Sequence, residues 1–235
     1  MRMLICAAAA SFALAAAPVW AEHAKAPFLP SDAIDLAALL PTPPAPDSLV
    51  TKAEIAEIHR AQADATAAEK AQAVADSRED IFLFANIMGT NFVPAKLPIA
   101  TEFFASVGET EGEFVNPAKK IFGRPRPPLA DASVIPCEKL KASAAYPSGH
   151  ATFAYLQAVV LARMIPEKRD AIFARAAEFA HNRIVCGVHY ASDVEAGKIS
   201  AFTIGAMLLR DPVFQAAFMP AKAEVRTAVG LAGNK

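Results

Sequence analysis

Residues 147–212 read PSGHATFAYLQAVVLARMIPEKRDAIFARAAEFAHNRIVCGVHYASDVEAGKISAFTIGAMLLRDP. Pro147-Ser148-Gly149-His150 opens an apolar helix to about Ile165, with Ser148 placed to cap it, and Pro166 ends it. Glu167 to Arg183 make an amphipathic helix. After a turn at Gly187, Ser192-Asp193-Val194-Glu195 has a capping-box pattern and starts an apolar helix over 193–209, with Pro212 beyond its end. Residues 213–227 read as a further helix.

Upstream, the pattern stays helical. Residues 129–146 are a loop containing Cys137, and 115–123 read as a short helix stopped by Pro125, Pro127 and Pro128. Glu109, Glu111 and Glu113 around Gly112 read as a solvated acidic loop, and 99–107 as a helix with Phe103 and Phe104 inward. Asp80 to Met88 read as a buried helix ended near Gly89, and Pro94 and Pro98 bracket a connection. Thr51-Lys-Ala-Glu54 is another capping-box pattern, followed by an Ala/Glu/Gln/Lys helix to about Ala75 in which His59 reads as a surface or satisfied histidine. Residues 22–50 form a Pro-rich arm with a short helix around 31–40. The count is seven to ten helices with no convincing strand pair. The expected fold class is therefore all-α, with a single helical domain over 51–235.

Composition agrees. Among 235 residues, 54% hydrophobic and 20% charged leave ample material for a core, so the chain is not disordered overall. Eighteen prolines against ten glycines suit helices joined by stiff connections. A net charge of −1 gives no general attraction to nucleic acid or to anionic membranes.

Residues 1–21, MRMLICAAAASFALAAAPVWA, have a basic start, an apolar run and small residues at Val19 and Ala21. They read as a cleavable export signal, with the mature chain starting near Glu22. The rival reading, a membrane anchor, is short of the ~20 apolar residues a span needs. No later run of 18 uninterrupted apolar residues exists, so no membrane span is expected in the mature chain. Cys6 leaves with the signal. Cys137 and Cys186 remain as a disulfide candidate, the alternative being two buried thiols. A bridge closing that loop is worth ~3–4 kcal/mol in the chain-entropy model.

Three stretches carry chemistry. Lys119 to Arg126 pack four positive charges into eight residues, with two arginines fixed by flanking prolines. Arg offers a fork of donors matched to phosphate oxygens, and Lys a compact charge. Ser148-Gly149-His150 puts free backbone N–H groups, and a histidine, at a helix N-terminus that favours anions. Arg183, His189 and Asp193 follow, and a carboxylate four residues from an imidazole can hold its Nδ1–H and turn Nε2 outward as a nucleophile. Each stretch alone also has a purely structural reading. Together they supply a phosphate cradle, a nucleophile and a candidate general acid, the parts phosphoryl transfer needs. No His-x3-His or Cys-x2-Cys spacing suggests a metal site.

The pattern K-x6-RP (Lys119, Arg126, Pro127), PSGH (147–150) and R-x5-H-x3-D (Arg183, His189, Asp193) resembles the signature of the type 2 phosphatidic acid phosphatase and vanadium haloperoxidase superfamily. With a signal peptide and no membrane helices, the chain looks most like the bacterial class A nonspecific acid phosphatases. The resemblance implies a helical bundle, commonly a homodimer, needing no metal and no cofactor and inhibited by vanadate as a transition-state mimic. It implies a periplasmic enzyme that hydrolyses small phosphate monoesters and releases inorganic phosphate. Phosphotransfer to alcohols is a further expectation, and a vanadium-dependent haloperoxidase is the alternative. The implied roles are His189 as nucleophile, Asp193 as its orienter and His150 as general acid. Lys119, Arg126, Ser148, Gly149 and Arg183 would hold phosphate. Asn182 stands where the family often has Ser. Lys120 and Arg124 are outside the signature and are not assigned to the catalytic set, and His181 reads as structural. The three cations are expected to lower the histidine pKa values and Asp193 to raise that of His189. The physiological substrate stays open, because leaving-group contacts lie outside these motifs.

Overall fold

The computed structural model describes residues 26–231; the expected export signal at 1–21 lies outside the described residues. Helices run in the order α1 (Leu36–Leu39), α2 (Leu49–Asp64), α3 (Ala67–Ala75), α4 (Ala85–Met88), α5 (Pro98–Phe122), α6 (Pro127–Ala130), α7 (Gly149–Met164), α8 (Arg169–Val185), α9 (Ala191–Leu208) and α10 (Pro212–Ala228). No strand occurs among the described residues.

Helix α7 is the axis of the bundle, packed against α5, α8 and α9. It is apolar nearly all round, as a helix with neighbours on every side must be, and Leu156, Val160 and Leu161 are fully buried. Gly197 lets α9 close on its start: a Cβ there would sit 2.6 Å from Ser148 O and 2.9 Å from Ala151 Cβ. The Pro-rich stretch from residue 26 is laid along the bundle. Phe28 joins Phe103 and Phe214 in one aromatic cluster, and its N–H donates to Thr110 Oγ1 at 2.9 Å. Cys137 and Cys186 form a disulfide.

Four expectations change. The acidic stretch around Gly112 is not a loop: α5 is one helix from Pro98 to Phe122, ended by the left-handed Gly123 (φ 60°). Phe103, Phe104, Val107, Thr110, Phe114 and Val115 keep one face buried across it, so packing overrides two glycines and Pro117. The helix expected over 51–75 is two, because Thr66 and Glu69 form a capping box that restarts it after Asp64. Ser48, not Thr51, caps the first. The Ser192…Glu195 pattern does not cap α9 either. Tyr190 is its N-cap residue, and the Asp193 carboxylate accepts from the Tyr190 N–H at 2.9 Å.

Candidate active site

All three motifs meet at one end of α7. Lys119 sits in the last turn of α5, and Gly123 turns the chain into Arg124-Pro125-Arg126, tied to the loop before α7 by Ala145 N–H donating to Arg124 O at 2.8 Å. Ser148 caps α7, its Oγ accepting from Ala151 N–H at 3.3 Å. The Ser148 N–H donates to Asp193 O at 2.9 Å, which locks the α7 start to the α9 start. Arg183 closes α8, and His189 lies in the turn before α9, reached through Gly187 (φ 69°), where a side chain would strike Gln62 and Val134.

A cleft of about 640 Å³ opens on this junction. Lys119, Arg126, Gly149, His150 and His189 line it; Ser148, Arg183 and Asp193 are fully buried. Lys119 Nζ donates to Ala144 O at 2.9 Å. Arg126 donates from Nε to Ser143 O and from Nη1 to Val188 O, both at 3.0 Å. Arg183 donates from Nη1 to Asp76 O at 3.1 Å and from Nη2 to Glu138, next to the disulfide. Its buried Nε has no hydrogen-bond partner among the described residues.

The tautomer of His189 follows from its neighbours. Arg126 Nη1 is 3.2 Å from His189 Nε2, and a guanidinium can only donate, so Nε2 carries the lone pair. Nδ1 then carries the hydrogen, 3.3 Å from Asp193 Oδ2. His189 is therefore neutral with a directed Nε2. Burial, then the cations Lys119, Arg126 and Arg183, push its pKa well below the usual histidine range, so the rise expected from Asp193 is not what dominates. Burial pushes the Asp193 carboxyl up, while Arg124 and the Tyr190 N–H pull against it.

His150 is held at both ring nitrogens: Nε2 lies 3.0 Å from Ser77 O, and Nδ1 lies 3.2 Å from Glu79 Oε1. Burial and then Arg183 lower its pKa. Burial, followed by Arg126, pushes Lys119 down to about 8.

Several site residues lie outside the motifs. Arg124 belongs to the site after all. Its Nη1 donates to Asp193 Oδ1 at 2.6 Å and to Ser192 Oγ at 2.7 Å, and its Nη2 to Glu54 Oε2 at 2.8 Å. Its guanidinium also stacks 3.8 Å from the Tyr190 ring centroid, and Glu54 returns to the Ser192 N–H at 2.7 Å. The four-charge cluster in the sequence was the available signal; its arginine one turn past Lys119 faces inward, while Lys120 is exposed. Glu111 is buried with Oε1 unpartnered, 3.5 Å from where a Gly149 Cβ would stand. Asn182 donates to Asp76 Oδ2 at 2.8 Å and so supports Arg183 from behind. His59 is a half-exposed partner of Asp131, and His181 is exposed. No group of three or more His, Cys, Asp or Glu side chains is placed to hold a metal among the described residues.

Residues 100–215 match the PAP2 superfamily. A non-specific acid phosphatase of Providencia stuartii is 31% identical over 206 residues, covering 83% of this chain and 82% of its own. An acid phosphatase of Zymomonas mobilis is 36% identical over 122 residues, 50% of this chain and 46% of its own. A non-specific acid phosphatase of Salmonella typhi is 30% identical over 148 residues, 61% of this chain and 59% of its own. Among solved structures, a transmembrane PAP2-type phosphatidylglycerolphosphate phosphatase from Bacillus subtilis shares the fold, with a TM-score of 0.51 at 18% identity over 73% of this chain and 88% of that one. No described helix here is long and apolar enough to cross a membrane.

Proposed function

Because the chain belongs to the PAP2 superfamily, alongside its non-specific acid phosphatases, we propose that it is an exported acid phosphatase that hydrolyses small phosphate monoesters through a phosphohistidine on His189. The observation that carries this reading is the placement of His189 between Arg126 at Nε2 and Asp193 at Nδ1, which makes it a neutral, aimed nucleophile beside a cation that binds phosphate.

The steps follow from the charges. A phosphate dianion entering the cleft meets Lys119 and Arg126 in its lining, and the buried Arg183 offers its unpartnered Nε as a further donor. Ser148 and the first N–H groups of α7 add neutral donors, and Gly149 lets the oxygens approach the backbone. Phosphate draws the Arg126 fork onto its oxygens and frees Nε2 for in-line attack. Asp193 supports the positive charge that grows on the ring. His150 protonates the departing alcohol and then takes a proton from the water that hydrolyses the phosphohistidine. The bound dianion offsets the surrounding cations and raises the proton affinity of His150 from its depressed free value. With this many fixed cations the site requires no metal, and vanadate fills it as a five-coordinate mimic. An alcohol that outcompetes water would be phosphorylated in its place. The disulfide and the leader-like residues 1–21 support a periplasmic location, and the family likeness supports a homodimer.

The test is hydrolysis of p-nitrophenyl phosphate from pH 4 to 8, with EDTA, with vanadate, and with H189A. An acidic optimum, EDTA resistance, vanadate inhibition and loss in the variant are expected. Activity abolished by EDTA would overturn the metal-free mechanism, and full activity in H189A would overturn the nucleophile.

A further inference from the structure

We infer that Glu79 is a positioning residue of the reaction: its carboxyl holds, jointly with His150 Nδ1, the proton that His150 delivers to the leaving oxygen. The inference rests on the reading of His150 as general acid and deepens it.

The geometry leaves one nitrogen for that task. The Ser77 carbonyl can only accept, so His150 Nε2 carries a hydrogen and spends it there, at 3.0 Å. Nδ1 alone is left to face a substrate, and Glu79 Oε1 occupies it at 3.2 Å. Glu79 and His150 both line the cleft with Lys119 and His189, and the Glu79 side chain is 34% exposed, so an entering ester can move it aside. One proton is shared between Oε1 and Nδ1, and its position depends on what surrounds it. Glu79 faces Lys119 and Glu111 from α5, Glu138 and Lys141 from the loop before α7, His150 from α7 and Arg183 from α8. Desolvation within the cleft raises the Glu79 carboxyl and lowers the His150 imidazole, so the two proton affinities move toward each other.

The proton balance closes. As His189 Nε2 bonds to phosphorus, the ester P–O bond breaks, its electron pair goes to the leaving oxygen, and that oxygen takes the Nδ1 proton. In the second half a water oxygen bonds to phosphorus, the P–N electron pair returns to His189, and the water proton goes to Nδ1. The shared proton is restored. Water and ester have become alcohol and phosphate.

The experiment compares kcat/KM for p-nitrophenyl phosphate and for ethyl phosphate in wild type, E79Q and E79D. An aryl leaving group needs little protonation and an alkoxide needs it fully. E79Q is expected to lose roughly tenfold or more on ethyl phosphate and under about threefold on the aryl ester, with E79D recovering part of the difference. The acid limb of the pH profile should move in E79Q as well. Equal losses on both esters, or no loss on either, overturn the inference. Acid-quench trapping of labelled phosphate on wild-type His189 separates the two levels: with label trapped, equal losses overturn the role of Glu79 alone. If no label is trapped, the phosphohistidine reading fails and the inference falls with it.

Discussion

Arg124 Nη1 stands 2.6 Å from Asp193 Oδ1, on the opposite oxygen from the one that faces His189 Nδ1. The carboxylate is thus gripped from behind, and Glu54 in turn grips Arg124 at 2.8 Å. All four side chains are buried. The chain Glu54–Arg124–Asp193–His189 links α2, the Arg-Pro segment and α9 to one ring nitrogen, so the orientation of the proposed nucleophile depends on a helix far upstream in sequence.

R124M should therefore cost activity and stability together. It leaves Asp193 and Glu54 buried without their cation, and breaking such a pair costs about 3–5 kcal/mol. Denaturant unfolding checks the stability. Single-turnover formation of phosphohistidine should fall roughly 100-fold, because an unsupported Asp193 takes up a proton and no longer accepts from Nδ1. R124K keeps the charge but not the fork, and should retain more stability than activity. Wild-type single-turnover rates in R124M would remove Arg124 from the mechanism.

Lys119 sets an alkaline limit. Its pKa stands at about 8, lowered chiefly by burial, so it is charged below that pH and neutral above it. In the proposed cradle, phosphate binding needs the charged form. The KM for a phosphate monoester should rise about tenfold per unit once pH passes 8, and bound substrate should hold the proton to a higher pH. K119R keeps its charge through this range and should flatten that rise, at the cost of a poorer fit in a pocket shaped for an ammonium on Ala144 O. A KM that does not change between pH 7 and 10 in wild type would exclude Lys119 as the titrating group.

The disulfide should matter to the site as well as to the fold. Cys137 and Cys186 are 49 residues apart, a loop whose closure is worth about 4 kcal/mol in the chain-entropy model. Glu138 follows one of them and Arg183 lies three residues before the other, and the two are ion-paired. C137S/C186S should lower Tm and also weaken inhibition by phosphate, since Arg183 loses a fixed partner. Unchanged phosphate inhibition with a lowered Tm would confine the bridge to stability.

The helices around α7 were legible because their ends carry residues with one physical role: Ser148 caps α7, Pro166 stops it, and Pro212 lies beyond the end of α9. The three motifs that meet at the start of α7 stood out in the sequence through the order and spacing that resemble the family signature, since each stretch alone also has a structural reading. The long α5 was not legible, since Gly108, Gly112 and three glutamates argue locally for a loop, and only the buried face from Phe103 to Val115 reverses that. Arg124 stood in a visible charge cluster but its partners were not legible, and neither were Glu54 and Glu79. Each acts across a tertiary contact, between partners 138, 70 and 71 residues apart for Glu54–Ser192, Arg124–Glu54 and Glu79–His150, and one sequence carries no period that pairs them.

Glu111, which lines the same cleft, supplies a further test. It is buried against Gly149 with Oε1 unpartnered, and burial, then Glu79, holds its pKa well above 4.5. The folded state therefore keeps a proton that the unfolded chain releases. By linkage, stability contributed at low pH is lost as pH rises above the unfolded value near 4.5 and keeps falling until the folded pKa is reached. E111Q is the neutral shape without the titration. It should match wild type at pH 4 and become the more stable protein toward neutral pH, with phosphatase activity within about twofold, because a protonated carboxyl and an amide present the same volume beside Gly149. Unfolding curves of the two proteins at pH 4 and pH 7 check this. A destabilisation by E111Q that grows with pH would mean that Glu111 is ionised in the fold and serves Lys119 as its counter-ion.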